Sequence, residues 1–563
     1  MRVLGISAFH RDAAAALVVD GTPVAAAQEE RFTKKRLDPA FPTRAIRYCL
    51  READITGPEL DEVVFYEKPL RKFERLLVTQ LRAFPRATKP FAHTMFLWLG
   101  DRLWLKHKIA EEVGVPIGRV RFIEHQRSHA ASAFFLSPFE EAAVLTVDDA
   151  GEWATTTLAE GRGRNLTVHA ETHFPHSLGM LVATITQFLG FEPGHDEAKL
   201  EALALLGAPR FEAAFEQLVA PDEAGSFAID TTCFRFPFDA ERLWDQALEE
   251  RLGPPRFPGA RLRTEAPDAR DADIAASLQV VLERRVLALC DELWRRVPSK
   301  NLCFAGALAT NRALNARILA DGPFRRLFVP PDPGEAGAAL GAALALSAAR
   351  GAERAPEADA ALGEALDPAF AEEGARQLGN VDAAETVLAE RLAAGACMGW
   401  VRGRMPFGPH SLGTRSILAD ARDPAGRGRL FAAIQESEDF LPCGIALPAD
   451  RAAEYVNAPE GAGDVLRLAH VVVPAKDALQ RAAPSAVLPD GTAWVQVVDA
   501  ERDPRFHRLL TRVGERTGAP LLLHASFRLH GATLVRSEAD AVDAFHRSRL
   551  DGLVVEDRTY ERS

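Results

Sequence analysis

Apolar and polar positions divide the opening of the chain into three short runs. Residues 3–8 are largely apolar, a polar turn carrying Asp12 follows, and residues 13–19 are apolar again up to Asp20-Gly21 and a third run at 22–27. Apolar runs of this length broken at Asp-Gly predict a strand followed by a β-hairpin. The same layout returns at residues 141–147, the turn Asp148-Asp149-Ala150-Gly151, and residues 152–158. Two copies of one strand–turn–strand opening predict a duplicated fold with a cleft between its halves.

Helical periodicity dominates residues 275–297, with Leu278, Val281, Leu282, Val286, Leu287 and Leu289 on an apolar stripe. A buried strand is expected at 301–305, entering a loop at 306–310, then a short strand at 328–331. The glycine-rich turn 334–337 leads into an alanine-rich helix ending at Ala349. This alternation is α/β. Residues 351–367, rich in Ala, Glu and Pro with little apolar periodicity, read as a linker between a domain at 1–350 and a second α/β domain at 368–563. In that second domain strands are expected at 398–402, 465–473, 493–498, 521–524 and 552–555.

Composition narrows the function classes. The 563 residues are 47% hydrophobic and 26% charged, the profile of a soluble globular protein. A formal net charge of −12 without any basic run argues against a nucleic-acid binder, which needs a basic face. Six scattered cysteines with no CxxC pair fit a reducing cytoplasm better than a disulfide framework. Neither a signal peptide nor a membrane anchor is expected. The apolar stretch 91–105, with Trp98 and Trp104, reads as a core or acceptor-cavity helix rather than a membrane-surface helix. Lys34-Lys35-Arg36 reads as a solvated turn.

The sharpest chemical signal is EHQRSHAASA at residues 124–133. His125 and His129 are four apart, so on a helix both imidazoles face one way and can share a metal. Such a pair is also common as two packed histidines. A carboxylate at Asp148, at the end of the next strand, would complete two histidines and one carboxylate, a set suited to iron or zinc. Gln126 rules out the HExxH metalloprotease pattern. Ser177 and Ser416 have no histidine or acid at triad spacing in the sequence, which speaks against a serine hydrolase.

Ordered motifs then make a resemblance specific. GISAFHRDAAAALVVDG, QEERFTKKRLDPAFP, EHQRSHAASAF, VLTVDDAGEWATTT, HSLG, NLCFAGALATN and VPPDPGEAGAALGAAL resemble, in order and spacing, the O-carbamoyltransferases of the nodulation-factor and antibiotic-tailoring type. GWVRGRMPFGPHSLGTRSILADARDP, DGTAWVQVV, DPRFHRLL and LLLHASFRLHGATLV continue the match through the carboxy-terminal half. The resemblance implies an actin-like duplicated domain of the threonylcarbamoyl-transfer type followed by a YrdC-like domain. The YrdC-like domain would make carbamoyl adenylate from ATP and carbamoyl phosphate, with Mg2+ accompanying ATP. The actin-like domain would pass the carbamoyl group to a hydroxyl of a small secondary metabolite beside an iron ion, Fe2+. By motif, His125, His129, Asp148 and Glu335 would hold the metal, and His10 or Asp12 would act on the acceptor as base or orienting group. Gly151, Gly306, Asn311 and Gly334 would line the nucleotide. Glu197 and Lys199 would form a cleft ion pair or touch the acceptor. A paralogous carbamoyltransferase or a second copy of the chain is the implied protein partner; nucleic acid and membrane are not.

Departures from the family pattern gather at polar positions. Glu335 stands for an Asp ligand, and VDDAGEW for VDGxGEW places Asp149 where a Gly admits a phosphate. The Gly pair before Asn311 is reduced to Gly306-Ala307. In the second domain GPHSLGTRS puts His410 in place of an Arg, Trp494 replaces another, SEDFLPCGI loses two more, and LHASFR loses two asparagines. Arginines bind phosphate bidentately, which these replacements cannot do. Arg404, His410, Arg415, Ser526 and Arg528 remain as candidates for carbamoyl phosphate. Either a working subfamily has diverged, or the adenylate-forming site is lost or repurposed, leaving another donor or a non-catalytic partner role.

Overall fold

The opening apolar runs form β1 (Arg2–Ser7), β2 (Ala14–Val19) and β3 (Thr22–Gln28). With β4 (Glu62–Phe65) and β5 (Val120–Phe122) they make a five-stranded sheet of order β3-β2-β1-β4-β5. β1 runs antiparallel to β2 and parallel to β4, and β4 runs parallel to β5. The second copy comprises β6 (Glu141–Val147), β7 (Ala154–Arg162) and β8 (Asn165–His173), extended by the strands Asn301–Ala305 and Arg326–Phe328. Its order is β8-β7-β6, then Asn301–Ala305, then Arg326–Phe328, with the last two parallel to β6. Both sheets therefore share one strand order and one set of directions, the duplication expected of an actin-like domain. The computed structural model describes all residues except 223–225, 265–268, 355–358, 368–369, 437, 439 and 563.

Two helices set the positions of the chemistry. His125–Leu136 is buried along nearly its whole length, as is the alanine-rich helix Glu335–Ala349. Small residues allow the layers to close up. A Cβ on Gly5 of β1 would lie 1.9 Å from the Ala339 carbonyl oxygen, so backbone meets backbone there. The stripe expected at 275–297 is part of a longer helix, Arg270–Arg296.

By packing, the chain divides into Met1–Ala26 with Pro39–Ala358, and Ala27–Asp38 with Asp359–Ser563. The boundary falls inside the expected linker, of which 355–358 lie outside the described residues. The segment Ala27–Asp38 differs from expectation by belonging to the carboxy-terminal unit. Arg31 donates to the Gly408 carbonyl at 3.0 Å and Lys34 pairs with Asp540, so Lys34 is anchored rather than simply solvated.

The carboxy-terminal unit is built on a nine-stranded mixed sheet. Helices Val381–Ala393 and Pro504–Thr517 supply Leu388, Leu392, Phe506, Leu509 and Val513 to a core with Trp400, Leu418 and Leu522. The strand expected at 465–473 is instead a short helix, Gly463–Arg467, followed by the strand Val472–Pro474. A continuous apolar run does not distinguish the two by periodicity. Among the described residues, no helix is long and apolar enough to cross a membrane.

Candidate metal centre

His125 and His129 stand on the first turns of their helix, Asp148 just past the end of β6, and Glu335 at the start of the alanine-rich helix. One ligand atom from each falls within 4.8 Å of all the others. His125 Nε2 lies 2.7 Å from Asp148 Oδ2, 3.2 Å from His129 Nε2 and 3.6 Å from Glu335 Oε1. All four residues are buried. Two neutral imidazoles and two carboxylates carry a charge of −2, which a divalent cation neutralises, and nitrogen with oxygen donors suits iron or zinc. The donor set therefore fits a metal.

The electrostatics of the cluster agree with that fit. Burial pulls the His125 pKa down, but Glu335 and the bond to Asp148 outweigh it and raise the pKa to about 9. Burial would raise Asp148 and Glu335, yet the histidines hold both below the ordinary carboxylate range. A divalent cation bound there would compete with the proton that these carboxylates favour on His125.

Surrounding groups aim the ligands. Ala307 N–H donates to Asp148 Oδ1 at 2.9 Å, which turns Oδ2 toward the histidines. Glu152 accepts the His125 N–H at 3.1 Å and the Lys68 N–H at 2.7 Å, placing a carboxylate at the start of the histidine helix where its dipole favours one. Tyr66 packs edge-on to His125 with ring centroids 5.2 Å apart, and donates to the Ala8 carbonyl at 3.3 Å. Burial and then the charge of Glu335 keep its hydroxyl protonated. Glu152 and Tyr66 were missed by sequence reasoning. Glu152 lay within a quoted motif, but only the fold shows that its carboxylate faces the His125 N–H.

The first turn also reaches this site. His10 Nδ1 is 3.3 Å from Glu335 Oε1, and its side chain is 35% exposed. Asp12 is buried and has φ 47°, and Phe9 has φ 76°, left-handed values uncommon for such residues and typical of functional turns. His10 is therefore partly open to solvent, whereas Asp12 is buried. Asp149 is not left as a bare negative charge, because Arg11 pairs with it. Burial opposes the charge on Arg11, but Asp149, Glu197, Glu335 and Asp148 hold its pKa above the ordinary value. Glu197 accepts the Gly194 N–H, and Lys199 pairs with Asp196 at 3.5 Å.

The residues expected to line a nucleotide separate into different roles. Gly306 has φ 94°, and a Cβ there would stand 2.3 Å from the Val147 carbonyl oxygen, so the turn beside Asp148 requires glycine. A Cβ on Gly151 would come within 2.7 Å of the His125 Cβ; its bareness makes room for the His125 side chain. Gly334 N–H donates to Asp332 Oδ1 at 2.9 Å, setting the turn into Glu335. Asn311 Oδ1 caps the helix Arg312–Asp321 by accepting from Leu314 N at 2.8 Å, and its Nδ2 donates to Gln279. Ser177 likewise caps the helix Leu178–Phe188 and donates to the Asp148 carbonyl at 3.0 Å.

In the carboxy-terminal unit the anion candidates are scattered in function. Arg415 is fully buried, and its five N–H donors face the carbonyls of Arg402, Thr414, Gly403, Glu364 and Arg536. Those bonds tie it into the scaffold of the unit. Arg404 turns two donors to the carbonyls of Leu362 and Gly363. His410 lies 5.2 Å from the His470 ring and 5.5 Å from Trp494, so the three rings form an aromatic cluster. Ser526 pairs across the sheet with Ser416, and Arg528 is exposed beside the charges of Arg36, Glu30 and Arg31. Ser416 Oγ also lies 2.8 Å from His524 Nε2, a pairing 108 residues apart that sequence spacing did not reveal. No acid completes it among the bonds His524 makes.

Residues 2–344 match the family model for the carbamoyltransferase N-terminus and residues 389–562 that for the C-terminus. An uncharacterized protein of Synechocystis sp. is 37% identical over 98% of this chain and 95% of its own length. The nodulation protein NolNO of Sinorhizobium fredii is 32% identical over 97% of this chain and 78% of its own. The 3'-hydroxymethylcephem-O-carbamoyltransferase of Streptomyces clavuligerus is 27% identical over 54% and 56%. The chain belongs to the carbamoyltransferase family.

Proposed function

We propose that the chain is an O-carbamoyltransferase whose amino-terminal unit transfers a carbamoyl group to a hydroxyl of a small secondary metabolite at the four-residue cluster. The observation that carries this reading is the convergence of His125, His129, Asp148 and Glu335 within 4.8 Å. A divalent metal, iron by preference, bound there would polarise the carbamoyl carbonyl and stabilise the oxyanion formed on attack. His10 Nδ1 lies 3.3 Å from Glu335 Oε1; with Nδ1 turned to that carboxylate, Nε2 would face the acceptor hydroxyl and take its proton. Ala307 N–H and Glu152 keep Asp148 and His125 in place while the charge develops.

The donor is carbamoyl adenylate, made from ATP and carbamoyl phosphate in the YrdC-like carboxy-terminal unit. One observation favours a second reading of that unit. Arg415 and Arg404 are turned to backbone carbonyls, and His410, His470 and Trp494 form an aromatic cluster. An acyl donor without a phosphate of its own suits such a site better. Pyrophosphate release from ATP by the purified chain decides between them. Release that depends on carbamoyl phosphate supports the first reading; release only with another carboxylate or carbamate donor supports the second. No release with any donor, in metal-loaded protein, would overturn both.

A further inference from the structure

Residues 69–104 contain six of the chain's most exposed large apolar side chains among the described residues: Leu70, Leu81, Phe84, Phe96, Leu99 and Trp104. They lie on a helical hairpin formed by Pro69–Arg82 and Thr88–Gly100 and on the turn that follows it. The hairpin's inner side accounts for its folding. Phe73 and Trp98 pack with ring centroids 5.4 Å apart, and Gln80 donates to Thr94 Oγ1 at 2.8 Å. Thr94 and Trp98 are the buried positions of the second helix, while Phe96 is 83% exposed and Leu99 lies three residues on. The stretch 91–105, expected to be core or acceptor cavity, is therefore apolar on two sides, and only one is covered.

Charge identifies what suits the uncovered side. Residues 81–108 hold six Lys or Arg against Asp101 alone, in a chain whose formal net charge is −12. Arg82, Arg86 and Lys89 surround Phe84 at the hairpin tip, all exposed. Among the described residues none of the three has a carboxylate partner. Lys89, His93 and Phe96 fall on one helical face, so a cation and an aromatic ring project together. A second copy placed symmetrically on this face would set these cations against each other. An anionic surface would attract them, and the exposed Phe and Trp rings are the side chains that settle at a lipid headgroup boundary.

We propose that the outer face of this hairpin docks the protein on an anionic lipid bilayer, with Phe84 and Phe96 entering the headgroup layer and Arg82, Arg86 and Lys89 meeting lipid phosphates. No spanning segment is involved. This replaces the expectation of no membrane contact, which considered only hydrophobic length and a buried helix, and it stands independently of the carbamoyl-transfer reading.

The test is sedimentation of the full chain with vesicles of phosphatidylglycerol and phosphatidylcholine, against phosphatidylcholine alone. Binding is expected only with phosphatidylglycerol and is released by high salt. The triple variant Arg82→Glu, Arg86→Glu, Lys89→Glu, which touches no packed side chain, should bind on the order of 100-fold more weakly. Phe84→Ser with Phe96→Ser should lose a similar factor, with thermal unfolding and metal content unchanged. Failure of the wild type to bind at low salt, or undiminished binding by the charge-reversed variant, would overturn the proposal. So would a concentration-dependent dimer, abolished by the Phe variants, without vesicle binding.

Discussion

A Cβ on Gly341 would lie 1.9 Å from the carbonyl oxygen of Ser128, so the helices that carry His125, His129 and Glu335 touch backbone to backbone. Ser128 sits between His125 and His129, and Gly341 is on the helix that begins with Glu335. The distance from histidines to carboxylate in the cluster thus depends on a residue that is not itself a ligand. Gly5 repeats the device on the other side of the same helix, against Ala339.

Replacing Gly341 by Val should therefore separate the helices. Overpacking of this kind costs about 1–3 kcal/mol. Thermal unfolding and metal content should fall together. A variant with wild-type metal content would show that the cluster does not depend on this approach.

Asn311 offers a cleaner separation of roles. As a helix cap its replacement by Ala should lower stability by about 1 kcal/mol. Nucleotide affinity, followed by titration of ATP, should hardly change. A large loss of ATP affinity at unchanged stability would return Asn311 to the nucleotide site.

How far the sequence reveals this protein depends on how local each signal is. β6 begins and ends where its apolar run does, and the alanine-rich helix begins one residue before its apolar stretch. His125 and His129 were readable because helical spacing alone places them together. Asp148 and Glu335 came by motif, and the structure brings them to the same point. Glu152, Tyr66 and Arg11 were not legible as site residues, since each acts across contacts that only the tertiary fold creates. Asn311 and Arg415 suit a ligand by residue type, and nothing in the sequence shows the protein partners they meet: Leu314 N–H and the Gln279 side chain for Asn311, backbone carbonyls for Arg415.

Burial, and then the charge of Arg402, holds the His524 pKa down to about 4 from 6.5. The unfolded chain binds this proton more readily, so the neutral histidine's full contribution is present above pH 6.5 and is lost as pH falls toward 4. The loss amounts to about 3 kcal/mol. Unfolding free energies of wild type and His524→Asn across this range should converge as pH falls. Parallel curves would contradict a buried neutral His524.

Arg415 is expected to behave as scaffold. Arg415→Met should remove the guanidinium from five carbonyls, of which only Thr414 and Glu364 keep a backbone N–H partner among the described bonds, and cost about 3 kcal/mol or more. The measured change should appear in unfolding and not as a selective loss of carbamoyl phosphate affinity in protein that remains folded.

Metal analysis of the purified chain, loaded anaerobically with Fe2+, addresses the four-residue cluster itself. If His125, His129, Asp148 and Glu335 form one site, the wild type retains about one ion per chain and His129→Ala retains little, while its secondary structure is unchanged. An unchanged metal content in His129→Ala, or a wild type that binds no divalent ion, would contradict the metal centre.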